Sequence, residues 1–105
     1  MSPIPPTIPK YIDANAQRFI DRLAKAVAIP SVSGDASYRH HVFEMADFLE
    51  RELKQLGIET SKVPLGKHVL DEQEIDLPPV ILGTLGNDKS KKTVLLYGHF
   101  DVQPV

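Results

Sequence analysis

With 105 residues, 42% of them hydrophobic and 25% charged, the chain has the size and balance of one small soluble domain with a modest core. A net charge of −2 gives no electrostatic argument for nucleic acid or an anionic membrane as a partner, and no apolar run approaches the length that crosses a bilayer. The absence of cysteine excludes a disulfide framework, a cysteine-based zinc finger and a thiol nucleophile, and it fits a reducing compartment. A cytoplasmic protein is the expectation.

Residues 1–8 are rich in proline and carry no periodic pattern, so they read as an extended, exposed arm without the apolar centre of a signal peptide. From Pro9, a residue suited to a first helical turn, Ile12, Ala16, Phe19, Leu23, Ala26 and Val27 fall at helical spacing. The pattern predicts one amphipathic helix over 9–28, ended by Pro30, which disfavours helical geometry at Ile29. Residues 29–35, Ile-Pro-Ser-Val-Ser-Gly-Asp, are breaker-rich and read on local chemistry as a plain connector.

A second helix is expected over 37–56, with Val42, Met45, Ala46, Leu49, Leu53 and Leu56 on one stripe and Gly57 as its left-handed stop. His40 and His41 are adjacent on it and point about 100° apart, which suits solvated or partly packed side chains better than joint chelation. Residues 58–65 alternate weakly as a half-exposed strand, and 66–78 form a long connection with an acidic stretch at 71–76. Those carboxylates and His68 read as a solvated loop, since nothing in the sequence fixes their geometry.

Residues 79–85 are apolar enough for a clear strand, and 93–97 make the next one after a polar turn. Seven intervening residues are too few for a parallel crossover, so the two strands are expected to form an antiparallel hairpin. No phosphate-binding loop is present, because the GxxxxGK[ST] order is absent. The element order, two helices, a strand and a hairpin, implies an α/β layer architecture.

The last strand runs into Gly98, His99, Phe100 and Asp101. In extended backbone, residues two apart face the same way, so His99 and Asp101 are expected side by side. A ligating histidine commonly gives its second ring N–H to a carboxylate, so the pair suits a metal ligand and its partner. A purely structural pair at a strand end stays open on spacing alone. Two helices and three strands cover one sheet face at best, and a divalent ion needs three or four protein ligands. The chain is therefore expected to be the N-terminal piece of a larger α/β enzyme or a truncated product of one, only marginally folded by itself.

Residues 97–104, Tyr-Gly-His-Phe-Asp-Val-Gln-Pro, resemble the first metal-binding motif of the M20 metallopeptidases, matching each fixed position of an approximate Y-G-H-x-D-V-Q-P pattern. The likeness is greatest to the cytosolic non-specific dipeptidase and carnosinase-like branch, and it extends upstream to Phe19–Leu23, to the Ile29–Ser33 loop and to Leu56-Gly57-Ile58. The resemblance implies a three-layer zinc-peptidase-like catalytic domain, of which 9–105 would be an incomplete N-terminal portion and 1–8 an arm. It implies two divalent ions, zinc or manganese, a dipeptide substrate of Cys-Gly or broader type, and a homodimer. His99 would be a metal ligand, and Asp101 the catalytic-site carboxylate that orients its imidazole. The bridging aspartate, the glutamate general base, the other ligands and the lid domain of that family have no counterpart in these residues, so the chain by itself is expected to be inactive.

Two rival readings are weaker or of another class. An α/β-hydrolase strand end has the order His-Gly, whereas here Gly98 precedes His99 and no G-x-S-x-G elbow exists. A truncated, non-catalytic paralogue serving as an interaction module would carry the same motif, and a downstream Glu-Glu pair with a further Asp and His would argue for the enzyme.

Overall fold

The computed structural model describes residues 3–105, so the first two residues of the N-terminal arm lie outside the described residues. Helices α1 (Thr7–Ala14), α2 (Ala16–Val27) and α3 (Arg39–Gln55) are followed by strands β1 (Glu59–Val63), β2 (Lys67–Leu70), β3 (Gln73–Asp76) and β4 (Val80–Thr84). Helices set against short antiparallel ladders confirm the α/β class.

The expected single helix over 9–28 is two. Asn15 ends α1 and starts α2 with non-helical backbone, φ −113° and ψ 11°. Its side-chain amide donates to the Tyr11 carbonyl at 2.8 Å, the local competition with the helix ladder that asparagine offers. Across the break, Arg18 donates to the Tyr11 hydroxyl at 2.7 Å.

A short 3-10 turn (Ala36–Tyr38) leads into α3, its start capped by the Asp35 carboxylate, which accepts from the Ser37 N–H at 2.9 Å. At the far end, Gly57 takes φ +80°. The Gly57 N–H then reaches the Lys54 carbonyl, and the Ile58 N–H reaches that of Leu53, at 3.0 and 3.2 Å. Those two bonds are a Schellman stop, which turns the chain directly into β1.

Strands β1 and β4 pair antiparallel with Thr60 opposite Gly83, and β2 pairs with β3. Residues 66–78, expected as an irregular connection, are thus largely a hairpin. Its turn places Asp71 and Glu72 at φ 51° and 61°. Positive φ at both central positions matches the twist of a two-residue hairpin, where Asn-Gly is the usual signature. Asp71 also caps inward, accepting from the Ala36 N–H at 3.1 Å.

The expected hairpin of 79–85 with 93–97 does not form, since the antiparallel partner of β4 is β1. An extended run becomes a strand only when a neighbouring backbone takes up its polar groups, and 93–97 has no ladder partner among the described residues. The intervening turn closes on itself instead, with Asp88 accepting from the Ser90 N–H at 2.9 Å and the Lys91 N–H bonding the Asp88 carbonyl at 3.1 Å. Tyr97 is 92% exposed.

The buried apolar core is small: Val42, Met45 and Ala46 from α3, with Val32 from the loop before it. Polar contacts supplement the docking of α3 on β1. Glu50 accepts from Thr60 and Lys54 and pairs with Lys62, which also bonds Asp47.

Glycine in a strand usually marks close backbone approach. A Cβ at Gly83 would fall 2.8 Å from Cγ2 of Ile58, the residue fixed by the α3 stop. Gly83→Ala should cost about 1–3 kcal/mol of stability by overpacking. At Gly34, where nothing stands within 4 Å, alanine should change stability by less than about 0.5 kcal/mol. Paired urea-unfolding curves check this contrast, and equal midpoints for the two variants would contradict it.

Candidate functional site

The site is assembled by two loops 68 residues apart in sequence. After α2, the chain makes two successive tight turns in which Ser31 and Val32 N–H groups bond the carbonyls of Ile29 and Pro30, both at 2.8 Å. Val32 then meets the C-terminal segment in an isolated parallel bridge with Val102. The Val102 N–H donates to the Ser31 carbonyl at 3.0 Å, and the Ser31 hydroxyl donates to the Phe100 carbonyl at 3.0 Å. Ser31 is fully buried, so its polar atoms depend on these partners.

This register brings Ser33 to Asp101 and leaves His99 on the open side. The Ser33 hydroxyl donates to Oδ2 of Asp101 at 2.5 Å. Oδ1 of the same carboxylate lies 2.8 Å from Nδ1 of His99. The imidazole is 76% exposed and the Asp101 side chain 42%.

The protonation states follow from the contacts. The Ser33 hydroxyl holds the Asp101 carboxyl below the usual carboxylate range, His99 adds to this, and partial desolvation opposes it. Asp101 is therefore ionised at neutral pH and can only accept. Nδ1 of His99 must supply the proton between them, so in the neutral imidazole it is Nε2, on an exposed ring, that carries the lone pair. That is the form in which a neutral histidine binds a cation.

The spacing argument for His99 and Asp101 thus describes their actual juxtaposition, though the pair is set by a loop rather than by a sheet. A Cβ at Gly98 would have nothing within 4 Å. His68 stands apart in β2, its Nε2 buried without a partner. His41 pairs with Glu44 at 3.0 Å. No group of three His, Asp or Glu side chains able to hold a metal ion occurs among the described residues.

Read by itself as a connector, the Ser31-Val32-Ser33 segment is instead what grips the motif. A further residue, Arg39, supports it from the first turn of α3. Its buried guanidinium donates to the Ser33 carbonyl and to the Asp76 carbonyl, both at 3.0 Å, joining the loop to the end of β3. The signal for this loop in the sequence is that Ile29–Ser33 falls within the upstream part of the family resemblance, whereas its local chemistry reads as a connector.

No family model matches the chain. Over 95 residues it is 53% identical to the Cys-Gly metallodipeptidase of Schizosaccharomyces pombe, a match covering 90% of the chain and 20% of that protein. Its structure is similar to that of the dipeptidase Dug1p of Saccharomyces cerevisiae, with a TM-score of 0.86 at 46% identity, covering 91% of the chain and 20% of the other. It is also similar to human carnosine dipeptidase 1, with a TM-score of 0.89 at 38% identity, covering 98% and 23%. The chain spans about a fifth of the length of the relatives it matches.

The lowered Asp101 pKa has a definite consequence for pH. A carboxyl depressed in the folded state contributes stability that is present above its unfolded pKa and lost as pH falls through the folded value. Ser33→Ala removes the largest cause of the depression. The Asp101 carboxyl-carbon titration should then move up toward the ordinary carboxylate range, and the share of the acid limb of stability that Asp101 contributes should shrink. An unchanged NMR titration midpoint in the variant would contradict the assignment.

Proposed function

On the premise that this chain is homologous to the N-terminal portion of the M20-type metallodipeptidases, in the branch of the fungal Cys-Gly and the carnosine dipeptidases, we propose that it provides the first metal-site motif of an enzyme that hydrolyses dipeptides. Residues 9–105 would form part of a catalytic domain, and the arm expected over 1–8 is shorter than that, because α1 already begins at Thr7. The enzyme acts in the cytoplasm as a homodimer on Cys-Gly or a broader set of dipeptides, with two zinc or manganese ions. No helix among the described residues is long and apolar enough to cross a membrane.

One observation carries the reading: the 2.8 Å contact between His99 and Asp101 on an exposed imidazole. The donor set suits a borderline divalent cation such as zinc, because a neutral imidazole backed by a carboxylate favours zinc over hard, oxygen-preferring ions, while manganese rests on the family resemblance. His99 would hold the ion through Nε2, and further ligands would come from outside these residues. A divalent ion bound there supplies a Lewis acid for the peptide carbonyl and lowers the pKa of water.

The chain's own residues do the positioning. Asp101 keeps the proton on Nδ1 and fixes the ring plane. Ionised, with one oxygen on the Ser33 hydroxyl and the other on His99, its carboxylate is committed to orienting the ring. The role that suits Asp101 is therefore to hold the ligand. The 105 residues alone offer one imidazole donor at the site, too few for a two-ion centre, so hydrolysis is assigned to the complete enzyme.

In the full-length enzyme, His99→Ala should lower Cys-Gly hydrolysis by more than about 100-fold and reduce bound metal. Asp101→Ala should cut turnover by about 10–100-fold while leaving part of the metal in place. Steady-state rates with metal analysis of the same preparations check both. Normal activity and metal content in His99→Ala would rule out the assignment.

A further inference from the structure

We propose that Ser33 is a positioning residue for the metal-ligand pair, acting on His99 through Asp101 and held in place by Arg39; this rests on the reading of His99 as a metal ligand. A carboxylate that touches only one partner is free to turn about its terminal torsion, which for aspartate is broad. Here the turn is blocked, because Oδ2 is committed to the Ser33 hydroxyl and Oδ1 to His99 Nδ1. The serine side chain can do this only from a fixed backbone, and three contacts fix it. The Val32–Val102 bridge ties the loop to the motif, the Ser31 hydroxyl bonds the Phe100 carbonyl, and the Arg39 guanidinium holds the Ser33 carbonyl itself.

The construction is more than a surface hydrogen bond. Arg39 is 92% buried in a chain whose apolar core is very small, and its Nε has no partner, so two carbonyls are its hydrogen-bond acceptors. A buried cation held this way is costly unless its contacts are needed to define the loop. The hydroxyl also draws charge from the carboxylate on the side away from His99, which favours keeping the shared proton on Nδ1.

The test is a double-mutant cycle in the metal-loaded full-length enzyme, comparing Ser33→Ala, Asp101→Ala and the double variant, with Ser33→Thr as rescue. Two readouts are needed: kcat and KM for Cys-Gly, and the apparent affinity for zinc in chelator competition. Ser33→Ala should lower kcat about 10-fold and weaken zinc binding about 10-fold with KM within about twofold, the scale of partners that orient a ligand. Ser33→Thr, which keeps the hydroxyl, should stay within about threefold of the parent. In the Asp101→Ala background, Ser33→Ala should cost less than about twofold.

An equal cost in both backgrounds, parental behaviour of Ser33→Ala, or a folded Ser33→Thr as impaired as Ser33→Ala would each overturn the proposal. His99→Ala, measured alongside, keeps the two levels apart. If it retains metal and activity, the reading of the site fails and the proposal with it. If it loses both while Ser33→Ala is neutral, the proposal alone fails.

Discussion

One carboxylate joins the parts of this structure that bear on chemistry. Asp101 gives one oxygen to the loop that follows α2 and the other to His99, and without it the two segments would share mainly backbone contacts. Its position is over-determined from the protein side: a parallel bridge, two serine hydroxyls and the Arg39 guanidinium converge on a few residues. On the solvent side, the imidazole it orients is open. A rigid back and an exposed front are what a ligand for an incoming cation requires.

The rest of the fold serves that arrangement with little apolar burial. The core is confined to one stripe of α3 and Val32 beside it, so the loop that grips the motif is itself part of the core. Polar links carry much of the remaining definition: Glu50 and Asp47 to β1, Asp71 to the start of the 3-10 turn, and Arg39 between β3 and the Ser33 loop. The exposed ion pairs among them contribute modestly to stability but restrict geometry. The apolar side chains of α2, β4 and 94–97 remain in solvent, with Leu23 63% and Leu95 91% exposed. In the relatives, the matching segment is about a fifth of a much longer chain, and such surfaces there have more protein to meet.

Elements with a strong local cause could be read directly from sequence. The stripe from Val42 to Leu53 and the glycine stop predicted α3 closely, and the apolar run before Gly83 predicted β4. Spacing alone placed His99 beside Asp101, and the eight-residue motif supplied their proposed roles. The failures have physical reasons as well. Asn15 breaks the first helix through its own side chain, a competition that the apolar periodicity of Ile12 to Val27 does not register. The β2–β3 turn uses Asp71 and Glu72 at positive φ, where the sequence offered none of the usual glycine signal. Residues 93–97 have strand composition, yet strand formation depends on a partner that local sequence cannot supply. The gripping loop was hidden for a related reason. Ser33 matters through a residue 68 positions away, and only the parallel register at Val32 and Val102 reveals it.

The central claim is that the carboxylate of Asp101 holds the His99 ring with Nδ1 protonated and Nε2 free. The nitrogen-15 chemical shifts of the His99 imidazole in the metal-free full-length protein, measured at a pH where the ring is neutral, test it most directly. The account predicts a pyrrole-like Nδ1 bearing the proton and a pyridine-like Nε2 that responds to added zinc. A ring protonated at Nε2, with Nδ1 carrying the lone pair, would contradict it.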